Sequence, residues 1–113
     1  MMALALQTQT QGYWTLVRFL GAVDDKRVLA LRVRLLRVVE HHPRVAADLS
    51  GCRVTGTRWM SVLLDVGERA RACGHTFAVI SPRPHAVRLC LPVLARGGRL
   101  LLCESAEQLP NRG

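Results

Sequence analysis

The stretch from Arg44 to Leu64, RVAADLSGCRVTGTRWMSVLL, constrains this chain more than any other. Val45 to Leu49 is apolar except for Asp48 and has the length of a buried strand. Ser50 to Gly56 follows as a tight loop holding Gly51, Gly56 and the hydroxyl residues Ser50 and Thr55. A helix then opens near Thr57. In α/β sheets the loop that leaves the carboxyl end of a strand and feeds a helix N-terminus is the usual place for a ligand or partner. The rest of the chain reads as sheet and helices that hold this loop.

From the N-terminus, Leu4 to Thr10 begins by alternating apolar and polar residues and predicts an edge strand, with a turn at Gln11-Gly12. Tyr13 to Leu20, rich in aromatic and β-branched residues, predicts its hairpin partner. Gly21 is expected to close that strand. Asp24-Asp25 is expected to cap a helix from Lys26 to His41, with Val28, Leu31, Leu35 and Val38 on one buried face. Arg27, Arg34 and Arg37 fall on another, solvated face, and Pro43 stops the helix.

The helix after the loop sets Trp59, Leu63, Val66, Ala70 and Cys73 on one side. Arg58, Ser61, Asp65, Glu68 and Ala72 form a mostly polar side, where Asp65 and Arg69 have the spacing of an ion pair. Gly74 is the expected C-cap. Thr76 to Ile80 predicts a central strand, His85 to about Leu91 a third helix, and Arg99 to Cys103 a last strand. Glu104 to Leu109 predicts a short helix or a frayed end. The order β-β-α-β-α-β-α-β makes this an α/β chain with a mixed sheet and right-handed crossovers. One domain over residues 1–113 is expected, with 1–3 and 110–113 frayed.

Composition narrows the function classes. No apolar run reaches the ~18 residues that cross a bilayer, and the first residues make a poor signal peptide, so a cytoplasmic protein with no membrane insertion is expected. Cys52, Cys73, Cys90 and Cys103 stand far apart without the short spacings of zinc ligands, which predicts reduced core residues and no metal or cofactor. His41-His42 at a helix end suits the dipole and needs no further role. The formal net charge of +8 would admit an acidic partner. The arginines are scattered among apolar residues and aromatics are few, so nucleic acid is not the expected partner. No phosphate-binding loop, nucleophile elbow, paired carboxylates or zinc-protease motif is present, which argues against an enzyme.

Thr57 is the residue in the loop with two readings. A hydroxyl at a helix N-terminus is first of all an N-cap. The same amides and dipole also favour a phosphate, whose charge would reverse the local potential beside Arg58 and so switch a docking face.

Several segments together resemble the STAS domain of the bacterial anti-sigma factor antagonists. Leu20-Gly21-Ala22-Val23-Asp24 is similar to that family's G-E-L-D, and Ala47-Asp48-Leu49-Ser50-Gly51 to its D-L-S-G. Ile80-Ser81-Pro82, followed by Ala86-Val87-Arg88-Leu89, resembles the pattern before its third helix. The resemblance covers nearly the whole chain. It implies a mixed four- to five-stranded sheet with helices packed mainly on one side.

It also implies a non-enzymatic regulator that works by partner switching. Such an antagonist binds an anti-sigma factor with GHKL-type serine/threonine kinase activity, frees the sigma factor, and is released when that kinase phosphorylates it. The family's phosphoacceptor motif aligns with Gly56-Thr57-Arg58-Trp59-Met60, placing Thr57 on the phosphorylated residue and Asp24 on an acidic residue near it. Here Gly56 replaces the motif's aspartate, Arg58 its second small residue and Trp59 its glycine. The partner-binding residues this reading assigns are Asp24, Thr55, Gly56, Thr57, Arg58, Trp59, Ser61 and Asp65. The alternative is a divergent, non-phosphorylated STAS accessory subunit of a transporter or signalling scaffold; a homodimer stays open in either case.

Overall fold

The computed structural model describes residues 5–24, 26–54, 58–80, 101–103 and 105–110. Strands β1 (Ala5–Gln11) and β2 (Trp14–Val23) form an antiparallel hairpin in which Gln11 pairs with Trp14. The two turn residues are Gly12 and Tyr13, one place later than the sequence suggests. Gly12 has φ +58°, a left-handed conformation that a two-residue hairpin turn asks of glycine. The chain continues through α1 (Val28–His41), β3 (Arg44–Asp48), β4 (Cys52–Val54), α2 (Arg58–Ala72), β5 (Thr76–Ile80) and β6 (Leu101–Cys103), then a 3₁₀ turn at Ala106–Gln108. The third helix expected over His85 to Leu91, Cys90 and the start of the last strand at Arg99 lie outside the described residues.

The sheet runs β1-β2-β3-β5-β6, and β2, β3, β5 and β6 are parallel to one another. One strand more is present than the resemblance implies. Cys52–Val54 is not loop but β4, paired parallel with Gly21–Val23. β2 therefore does not end at Gly21. It passes through that residue at φ +109° and carries β3 along its first half and β4 along its last three residues. Between Arg18↔Asp48 and Gly21↔Cys52 the paired offset grows by one residue. β3 and β4 are thus one strand direction interrupted by a bulge-like turn at Leu49–Gly51.

Both long helices pack on one face. Their buried side chains (Val28, Leu31, Leu35 and Val39 from α1; Trp59, Val62, Leu63, Val66 and Ala70 from α2) meet Val17, Phe19, Val45, Ala47, Phe77 and Val79 of the sheet. Val39, not Val38, completes the buried face of α1; Val38 is half-buried at its edge. On the opposite face Trp14, Leu16, Ala46, Ala78, Ile80 and Cys103 pack against Leu109. The indole Nε1 of Trp14 donates to the carbonyl of Pro110 at 2.8 Å.

The cysteines divide. Cys52 and Cys103 are buried, and burial pushes the Cys103 thiol pKa up. Cys73 is exposed, because α2 ends at Ala72 and the next residue turns outward toward Gly74, which caps the helix at φ +74°.

Candidate functional site

Parallel strands set their carboxyl ends on one edge, and the register decides which ends are neighbours. Val23, the last residue of β2, is paired with Val54, the last of β4. Asp24 therefore leaves the sheet beside the chain that enters residues 55–57, and α2 begins immediately after them. Thr55, Gly56 and Thr57 themselves lie outside the described residues, as does the capping role read for Thr57.

Asp24 is half-buried and organises the entry to α1. Its Oδ1 accepts from the backbone N–H of Lys26 at 3.1 Å and of Arg27 at 3.0 Å. Its carbonyl accepts from Arg27 and Val28, both at 3.1 Å. The cap expected of Asp24-Asp25 is therefore corrected. α1 starts at Val28, two residues later than expected, and its N-cap is Arg27, with no side-chain cap and no acidic residue in its first turn. Asp24 closes an Asx-type turn ahead of the helix, while Asp25 lies outside the described residues.

A second carboxylate shapes the same edge. Asp48, at the end of β3, is only 4% exposed. Its Oδ1 accepts from Ser50 N–H at 3.0 Å and from the Ser50 hydroxyl at 2.6 Å, while Oδ2 faces Arg18 Nε of β2 at 3.4 Å. These contacts close the turn in which the Leu49 N–H goes to the Ile80 carbonyl at 2.9 Å and the chain steps over to β4. Gly51 sits against β2: a Cβ there would lie 2.8 Å from Leu20 Cδ2 and 3.4 Å from the Phe19 carbonyl. The conspicuous signal was available in Asp48 itself, the one charged residue in the apolar run Val45 to Leu49.

The polar side of α2 is where the sequence puts it. Arg58, Ser61, Asp65, Glu68 and Ala72 are all exposed. Asp65 does not pair with Arg69. Its Oδ2 accepts from Arg32 Nε of α1 at 3.2 Å, and Arg69 Nε donates to Glu40 Oε1 of α1 at 2.8 Å. That hydrogen bond and the Glu40 charge hold the Arg69 guanidinium above its ordinary pKa. The two ion pairs latch α1 to α2 along their outer seam.

Trp59 departs from its assigned place. It is 6% exposed and belongs to the core between the helices and the sheet, so its ring packs inward and is not offered to a partner. Among the described residues the exposed large apolar side chains are instead Tyr13 in the hairpin turn, Leu101 of β6, and Leu29 (60% exposed) and Val33 (50% exposed), the last two one turn apart on α1 beside Arg32. Sequence reading passed over this pair; their signal was two aliphatic residues four apart and off the buried stripe. Among the described residues no three of His, Cys, Asp and Glu gather within reach of one metal ion, and no helix is long and apolar enough to cross a membrane.

No protein-family model matches the sequence, and no curated protein matches it significantly. Solved structures do share its fold. An anti-sigma factor antagonist from Mycobacterium paratuberculosis superposes with a TM-score of 0.74 at 20% identity, over 93% of this chain and 89% of that one. An anti-sigma-factor antagonist (STAS) domain protein from Planctomyces limnophilus gives 0.71 at 18% identity, over 90% and 92%. The unphosphorylated anti-sigma factor antagonist SpoIIAA gives 0.66 at 12% identity, over 94% and 92%. The chain has the fold of these proteins along nearly its whole length.

Proposed function

We propose that the chain is a non-enzymatic regulator of the anti-sigma factor antagonist type. It binds a protein partner through Asp24, the segment Thr55, Gly56, Thr57 and Arg58, and the exposed side of α2 at Ser61 and Asp65. The partner this reading names is an anti-sigma factor with GHKL-type kinase activity, in the cytoplasm of a bacterium. The observation that supports it is the parallel Val23↔Val54 pairing of the ends of β2 and β4, the strand ends from which Asp24 and Thr55 continue in the sequence. A polar helix side that the core leaves exposed then continues the same surface. Phosphorylation of Thr57 would place about −1.5 to −2 charges at the start of α2, beside Arg58, and change what that surface can dock.

The test is capture from native lysate with the wild-type chain and Thr57→Glu as baits, read by mass spectrometry, with circular dichroism confirming that both are folded. A GHKL-type kinase held by the wild type and lost by the variant supports switching at Thr57. Equal retention keeps the antagonist role and removes the switch. Transporter or scaffold subunits in place of the kinase would replace this reading with the accessory-subunit one.

A further inference from the structure

On the flank of α1 that faces the β1–β2 hairpin, a cleft of about 260 Å³ opens. Its floor is apolar and fixed: Val17 and Leu35 are buried core residues, with half-buried Leu6 and Val38 beside them. Its remaining lining is polar, from Thr8 of β1 and from Arg34 and Arg37, which are one turn apart on α1 and exposed. The ion pairs among the described residues use Arg18, Arg32 and Arg69; neither Arg34 nor Arg37 has a carboxylate partner there. Among the described residues no Asp or Glu lines the cleft. In a chain of net charge +8 this leaves two guanidinium groups with unmet anion capacity above an aliphatic floor.

We propose that this cleft binds a free aliphatic monocarboxylate, with its tail on Leu6, Val17, Leu35 and Val38 and its carboxylate held by Arg34 and Arg37. The volume decides the size of the occupant. An apolar cavity of about 150 Å³ takes benzene, so 260 Å³ holds on the order of ten non-hydrogen atoms. That suits octanoate and is far too small for a partner's helix, whose diameter is about 10 Å. A small inorganic anion would leave the floor unused. The site is independent of the surface proposed for the protein partner.

The probe is sodium octanoate, titrated into the full ¹⁵N-labelled chain at constant ionic strength and followed by amide chemical shifts. Saturable shifts at Leu6, Thr8, Val17 and Val38 are expected, with Kd on the order of 1 mM for a ligand of this size. Octanol and butanoate, which lack the charge and the tail respectively, should each bind about tenfold more weakly. The double variant Arg34→Gln/Arg37→Gln alters two exposed side chains and should keep the fold while losing about tenfold in octanoate affinity. The proposal is overturned by octanoate shifts that stay linear to about 20 mM, by saturable shifts elsewhere, or by a double variant that binds as the wild type does. Binding to phosphatidylglycerol vesicles that needs the same arginines, without saturable octanoate binding, would assign them to a membrane surface and also overturn it.

Discussion

Replacing Asp48 separates what its carboxylate does for the turn from what the rest of the strand does. Asp48→Ala leaves the Ser50 N–H and hydroxyl and the Arg18 guanidinium without their shared acceptor. Ser50 is exposed and Arg18 half-exposed, so water recovers part of the loss, and a cost of about 2 kcal/mol is expected in urea unfolding. Asp48→Asn keeps an acceptor at Oδ1 and should cost less than about 1 kcal/mol. Equal costs for both variants would show that the charge facing Arg18, not the hydrogen bonds to Ser50, holds the turn. At this scale the sequence was a partial guide. The motif containing Asp48 was visible because Asp-closed turns are local, whereas Asp24 closes a turn of the same kind ahead of α1 and does not cap the helix as expected. Trp59 had two readings. Helical spacing put it on the apolar side with Leu63, Val66 and Ala70, where it is found. The family alignment put it among the partner-binding residues, because an apolar residue at the first turn of a helix can face either the core or a partner. Only the packing of α2 on the sheet decides between them.

Elements were legible in proportion to how local their causes are. β5 occupies Thr76–Ile80 as its apolar run predicts, and Gly74 ends α2 as a glycine in the left-handed region does. β4 was not legible, since Cys52-Arg53-Val54 becomes a strand only because β2 runs on past Gly21 to offer it a partner. The ion pairs failed for the same reason. Asp65 and Arg69 have helical spacing, but α1 lies close enough to take both, giving Arg32–Asp65 at 3.2 Å and Glu40–Arg69 at 2.8 Å. A double-mutant cycle tests the reassignment directly. Arg32→Ala and Asp65→Ala should couple by about 0.2–1 kcal/mol, the range for exposed pairs, and the coupling should shrink with salt. Asp65→Ala and Arg69→Ala should be additive within experimental error. The opposite result would return Asp65 to a partner on α2 and leave Glu40–Arg69 as the remaining ion pair between the two helices among the described residues.

For the whole molecule the decisive quantity is charge. Sixteen Lys and Arg stand against eight Asp and Glu in a body of 12.8 Å radius of gyration, so the folded chain carries a net repulsion that unfolding relieves. An unfolded chain of this length expands to about 34 Å, and spreading eight charges over that radius lowers their mutual energy by several kcal/mol, on the order of 5, before screening. At about 0.1 M salt the Debye length, near 10 Å, is already shorter than the molecule and removes roughly half of this. Added salt also weakens the three ion pairs among the described residues, two of which, Arg32–Asp65 and Arg69–Glu40, join the helices across their outer seam. Exposed pairs are worth about 0.2–1 kcal/mol each and are only partly lost, so the relief of repulsion outweighs their weakening. Raising sodium chloride from about 20 mM to 500 mM should therefore stabilise the protein by about 1 kcal/mol, seen as a higher urea midpoint with an unchanged slope. A midpoint that falls would mean that the favourable pairs outweigh the excess arginine, and that the positive charge is arranged closer to its counterions than its net value suggests. A rise would leave an uncompensated field, with Arg34 and Arg37 among its sources, available to draw an acidic ligand or partner to the surface.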